Sequence, residues 1–223
     1  MQICYDSEDG DKASKRPRGR PRAFDRGAAL EKATLLFWAK GYEATSIADL
    51  TKVLRIGSPS LYAAFGSKEA LYAEALQHYA KTNEHLVWAA FQSADTARSA
   101  VSSFLMDSAA ALTGCIADLP RGCMVTLSSV GSEGHIELGE IVRNARAVTR
   151  DRLEARLTRA VTDGEIHEMT DLRGLCRFVQ AVQAGMSILA RDGATRSELE
   201  DMTQVAMAGW DARTRSPLES VTE

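Results

Sequence analysis

The sequence predicts an all-α fold in two helical parts, and three observations carry that expectation. All five prolines stand at 17, 21, 59, 120 and 217, leaving two long proline-free stretches in which the i→i−4 ladder can run uninterrupted. Apolar residues recur at three- and four-residue steps, as in Leu30, Ala33, Leu36, Phe37 and again in Leu71, Ala75, Leu76, Tyr79, the period of a helix with one buried face. Capping residues and glycines punctuate these runs: Asp25 and Ser67 before them, Gly41, Gly114 and Gly164 after.

The first helix is expected from Arg26, capped by Asp25, to Lys40. Two short helices follow over 46–65. A longer one begins after Ser67 and is expected to continue past Trp88, joining the two parts. Beyond residue 95 the pattern remains helical: Thr96 to Thr113, a loop over 115–121, a short helix from Gly122 to Val130, and a turn bracketed by Gly131 and Gly134. Ile136 to Thr162 reads as a long helix of ~40 Å at 1.5 Å per residue, followed by helices near 171–191 and 197–211.

The stretch from Thr45 to Glu69 carries the functional signal. Thr45 and Ser46 offer an N-cap to a helix with Ile47, Leu50 and Leu54 inward, and Gly57-Ser58 breaks it. Pro59 then opens a second short helix, where its missing N–H is harmless. Leu61 and Phe65 face inward, leaving Ser58, Ser60, Tyr62 and Ala63 outward; small hydroxyls and a phenol there suit phosphates and base edges. Gly41-Tyr42, Thr45-Ser46, Leu61-Tyr62, Phe65 and Ser67-Lys68-Glu69 together resemble the DNA-binding half of the TetR (tetracycline-repressor) family over roughly residues 24–84. Two positions depart from the pattern: Arg55 stands where the turn usually has Gly, and Gly57 where a Ser cap is common. The resemblance implies a helix-turn-helix regulator, expected to be a repressor reading a palindromic operator as a homodimer. The expected DNA contacts are Thr45, Ser46, Ser58, Pro59, Ser60, Tyr62, Ala63 and Lys68.

A basic arm, residues 1–23, precedes the motif and is expected to be disordered, as is the tail over 216–223. Residues 12–26 carry a formal charge of +6 in a chain of −3, which leaves −9 on the remainder. A short basic segment on an acidic body points to nucleic acid. Within it, Pro17-Arg18-Gly19-Arg20-Pro21 resembles an AT-hook core, with Arg18, Gly19, Arg20 and Arg22 placed for a narrow A·T-rich minor groove.

Residues 85–215 are expected to bind a ligand and to dimerise. On the last two helices, Leu175, Val179, Val182, Met186, Leu189, Met202, Val205 and Gly209 form the expected dimer surface, because the family dimerises through its final helices. The family also encloses an inducer between its middle helices. The expected lining is Trp88, Phe104, Met106, Cys123, Met124, Leu127, Phe178 and Met186, large or polarizable residues suited to an apolar or aromatic small molecule.

Other classes fare less well. The four cysteines, Cys4, Cys115, Cys123 and Cys176, form no C-x-x-C pair, a spacing poor for zinc and for a disulfide framework. A thiol-based redox or electrophile sensor stands as an alternative, with Cys115 and Cys123 as the nearer pair. His78 and His85 lie seven apart rather than four, so no metal is expected. No phosphate-binding glycine loop, nucleophile elbow or H-E-x-x-H is present, so no cofactor and no enzyme activity are expected. No apolar run reaches a membrane span and no leader is evident, so a cytoplasmic protein is expected. An architectural binder of A·T-rich DNA is the other alternative; it would lack strong preference for one palindrome.

Overall fold

A computed structural model describes residues 24–115 and 119–214, so the arm residues Arg18, Gly19, Arg20 and Arg22 lie outside the described residues. Among the described residues the secondary structure is helical: α1 (Arg26–Lys40), α2 (Ile47–Leu54), α3 (Ser58–Phe65), α4 (Lys68–Asn83), α5 (His85–Ser93), α6 (Ala97–Leu112), α7 (Ile136–Thr162), α8 (Leu172–Arg191) and α9 (Arg196–Thr214). Local chemistry sets the boundaries. Asp25 accepts from the Ala28 amide at the start of α1, and Gly41 ends it at φ 83, a region that only glycine enters without strain.

Two apolar clusters hold the fold. Phe37, Leu50, Leu54, Leu61, Phe65, Leu71 and Tyr72 fill the core of α1–α4. That core does not stop at the first four helices: Met124, Val125, Leu138 and Val142 belong to it. The second cluster surrounds α6, which packs on α5, α7, α8 and α9 and contributes Val101, Phe104 and Leu105. Arg156 ties the far end together by donating to the Asp95 carbonyl and pairing with Glu165 at 3.0 Å, while Glu165 also caps the Ala97 amide.

Two expected helices differ. The helix after Ser67 does not run unbroken past Trp88; α4 ends at Asn83 and α5 begins at His85, with Glu84 between them in helical backbone and engaged by Arg152. No helix forms over 122–130. Gly122 is left-handed at φ +77, and the local amide bonds stop at single turns, Leu127 to Cys123 and Ser128 to Val125, while the carbonyls of Val125, Thr126 and Ser128 accept from the Arg146 guanidinium. An α-carbon substituent at Gly122 would sit 2.5 Å from Leu127 Cδ1 and 2.8 Å from the Ser187 carbonyl, so glycine is required by packing as well as by φ.

Candidate functional site

The helix-turn-helix presents one polar face. Ser46 and Asp49 form a reciprocal capping box at the start of α2, with the Asp49 carboxylate also 3.1 Å from Lys40. The Ser46 hydrogen bonds, then Lys40, pull the Asp49 carboxyl down to about 2. Arg55 closes α2 in the left-handed conformation at φ 57, its amide donating to Thr51. The turn therefore keeps the geometry usually supplied by glycine and adds an exposed cation beside α3.

On α3, Leu61 and Phe65 are buried while Ser58, Pro59, Ser60, Tyr62 and Ala63 are exposed, Tyr62 at 46%. Gly57 supplies no side-chain cap, so the first amides of α3 remain open toward whatever the face meets. Thr45 does not join that face. It is fully buried, and its Oγ1 donates to the Gly41 carbonyl at 2.6 Å; it tightens the α1–α2 turn and is corrected to a structural residue. Lys68 begins α4, its Nζ 4.1 Å from the centroid of the Tyr42 ring. The Tyr42 phenol donates to Glu69 at 2.7 Å; burial first, then that carboxylate, raise its pKa.

The chain enters α1 beside the end of α3. Arg26 donates to the Ala64 carbonyl at 3.1 Å, pairs with Glu74 at 2.7 Å and stacks over Phe65 at 4.6 Å. Phe24 meets the same ring edge-on at 6.4 Å. Phe24 therefore sits at the flank of the exposed helix.

A cavity of about 660 Å³ lies between the two clusters, lined by side chains from α1, α4, α5, α6, α7, α8 and the 119–126 segment. Of the expected lining residues it receives Trp88, Phe104 and Cys123. The others are corrected. Met186 is fully buried in the α6 core, Met124 packs in the first cluster, and Leu127 folds against Gly122. Met106 lies half-buried on α6 outside the lining, and Phe178 faces the outer α8–α9 groove with Gly209 and Arg213. Helical phase alone did not separate these faces.

Sequence reasoning missed Trp38, Tyr79, Arg146, Arg152 and Arg177, all of which line the cavity. Trp38 lies on α1 and Tyr79 on α4. They stack edge to face at 4.7 Å, and the Trp38 indole donates to the Gly122 carbonyl at 2.8 Å. Arg152 pairs with Glu84 and stacks over Trp88 at 4.8 Å.

The expected dimer surface splits similarly. Leu175, Val179 and Met186 are buried within the protomer and are corrected to core. Val182 and Met202 are half-buried against that core. Leu189 at 41% and Val205 at 75% stay exposed, and Gly209 opens onto empty space. The thiols differ too: Cys176 is buried, which raises it to about 11, whereas Cys115 is exposed.

Residues 29–75 match the family described as bacterial regulatory proteins, tetR family. The HTH-type transcriptional repressor ComR of Escherichia coli (strain K12) is 34% identical over 209 residues, covering 91% of this chain and 96% of that protein. This chain belongs to the tetR family. A cysteine mutant of the TetR-family regulator CifR, complexed with 26-bp operator DNA, superposes with a TM-score of 0.79 at 36% identity, covering 86% of this chain and all of that one. The repressor BdcR of E. coli (strain K12) is 46% identical over 71 residues, 32% of this chain and 36% of that protein. As a member of the tetR family, the chain is a DNA-binding transcriptional regulator with an all-α fold, and among the described residues no helix is long and apolar enough to cross a membrane.

Proposed function

We propose that this chain is a cytoplasmic, ligand-responsive repressor that binds a palindromic operator as a homodimer. Residues 24–84 hold DNA, 85–215 hold the ligand and the second subunit, and the arm adds minor-groove contacts. The carrying observation is the exposed α3 face, Ser58, Ser60, Tyr62 and Ala63 over a buried Leu61 and Phe65, backed by a relative bound to operator DNA. Two such helices about 34 Å apart match successive major grooves. The exposed Leu189, Val205 and Gly209 on α8 and α9 support pairing of those helices with a second copy.

The cavity reaches the DNA-binding helices through Trp38. Arg191, at the end of α8, donates to the carbonyls of Trp38, Ala39 and Arg121 at 2.9, 3.0 and 2.8 Å. A ligand that displaces Trp38 or the 122–123 backbone would shift the end of α1 relative to α8, and so the spacing of the two recognition helices. Coupling then follows from the different contacts each state offers the ligand.

The test is a mobility-shift titration against DNA from upstream of the chain's own coding region. A repressor should prefer one palindrome by ~10³ over random DNA, and Tyr62→Ala should lose most of that affinity while remaining folded. Binding with no preferred site would instead identify an architectural protein.

A further inference from the structure

We propose that the cavity takes an aromatic carboxylate, its ring among Trp38, Tyr79, Trp88 and Phe104 and its anion on Arg177 with Arg146. The inference rests on the reading of this cavity as the effector site and adds the chemical class of its occupant. Four aromatic side chains in two close pairs, Trp38–Tyr79 and Trp88–Phe104, each at 4.7 Å between centroids, contribute to the walls. Such surfaces favour a flat ring system through burial and edge-to-face or offset contacts.

Charge supplies the second half of the argument. The charged residues that line the cavity are Glu84, Arg146, Arg152 and Arg177. Glu84 is committed to Arg152. Arg146 is held by neutral carbonyls alone, those of Val125, Thr126 and Ser128, at 3.1, 3.0 and 2.6 Å. Arg177 donates to the neutral Gln180 amide oxygen at 3.2 Å. Among the described residues neither Arg146 nor Arg177 has a carboxylate within ion-pair distance, whereas neighbouring arginines of α7 do, as in Arg150–Asp151 and Arg152–Glu84. Two guanidinium charges thus face one partly apolar cavity without a counter-charge. A carboxylate would meet a planar donor fork there, at the solvent-exposed side of the cavity where Arg146 and Arg177 lie. The volume, about 660 Å³, is within the range of pockets that enclose a small organic ligand.

The probes are 2-naphthoate, 2-naphthamide and 2-naphthylmethylammonium, which share one ring system and differ in charge. Calorimetric titration of the full chain should show 2-naphthoate binding about tenfold or more tightly than the amide, with the ammonium weakest. Arg177→Gln, a change at an exposed position, should reduce the acid-over-amide ratio to within about threefold, and Arg177→Glu should move the preference toward the ammonium. Equal affinity for acid and amide in the wild-type chain, or an acid preference unchanged by both Arg177→Gln and Arg146→Gln, would overturn the proposal, as would failure of all three probes to bind. The cavity itself is checked separately by Ala184→Trp, which fills it. If the amide binds as well as the acid and this variant abolishes both, the cavity reading survives and only the carboxylate falls. If 2-naphthoate binds Ala184→Trp undiminished, it binds elsewhere, and both fall.

Discussion

The indole N–H of Trp38, in the first helix, donates to the Gly122 carbonyl 84 residues later at 2.8 Å, and that bond is buried. It joins the DNA-binding helices directly to the cavity wall, because Trp38 and Gly122 both line the cavity. Arg191 closes the same junction with its three carbonyl contacts. Trp38→Phe leaves a smaller aromatic ring and removes the donor, so the Gly122 carbonyl is unpaired; equilibrium denaturation should show a loss of at least about 1–3 kcal/mol. Arg191→Met should cost a similar amount and should also weaken whatever effect a cavity ligand has on operator affinity. Unchanged stability in both variants would show that the junction is looser than its geometry.

The surface of α8 and α9 can be separated from their core by charge insertion. Val205→Arg or Leu189→Arg should give a folded monomer with little operator affinity, since each side chain is exposed in the protomer and a charge there would be unpaired only in the assembled interface. Val179→Arg should instead fail to fold, because Val179 is fully buried. Light scattering and circular dichroism distinguish the two outcomes.

The arm should contribute affinity without choosing the major-groove bases. Removing residues 1–22 deletes Lys12, Lys15, Arg16, Arg18, Arg20 and Arg22 while leaving α3 and the Phe24–Phe65 contact intact. The loss should be larger on operators with A·T pairs beside the half-sites, since the guanine amine obstructs the minor groove. Equal losses, with only a shallower salt dependence, would make the arm a nonspecific electrostatic tether.

Acid should probe the α2 cap. The folded Asp49 carboxyl is held down to about 2 by Ser46 and Lys40, against about 4 in an unfolded chain. Its contribution is therefore present above about pH 4 and is lost as pH falls toward 2. Asp49→Ala should lower stability at neutral pH and flatten the acid limb of the stability curve across that window. An unchanged acid limb would mean that the capping box does not persist in solution.

Lys68 should act on phosphate. It sits at the start of α4, where its ammonium and the helix N-terminus can share one oxyanion. Lys68→Ala should weaken specific and random DNA about equally and reduce the salt slope by roughly one per subunit. A changed base preference would place it on a base edge instead.

Much of this molecule is local and was therefore legible in the chain. The caps at Asp25 and Ser67, the stops at Gly41 and Gly114, and Pro59 at the start of α3 act over three or four residues, so residue order alone determines them; of the two cap residues offered before α2, Ser46 takes the role. The motif from Gly41 to Glu69 marks a DNA-reading helix for the same reason: its exposed face follows from the phase of Leu61 and Phe65. Only tertiary structure decided the rest. Residues 122–130 carry helix-compatible apolar spacing, yet Arg146, about twenty positions away, takes their carbonyls and Trp38 takes that of Gly122. Thr45 turned inward to a carbonyl in its own turn, and Val179 and Met186 went to the core while Val205 stayed outside. On helices packed on several sides, periodicity marks an apolar stripe but cannot say which neighbour covers it; that depends on contacts between residues far apart in sequence.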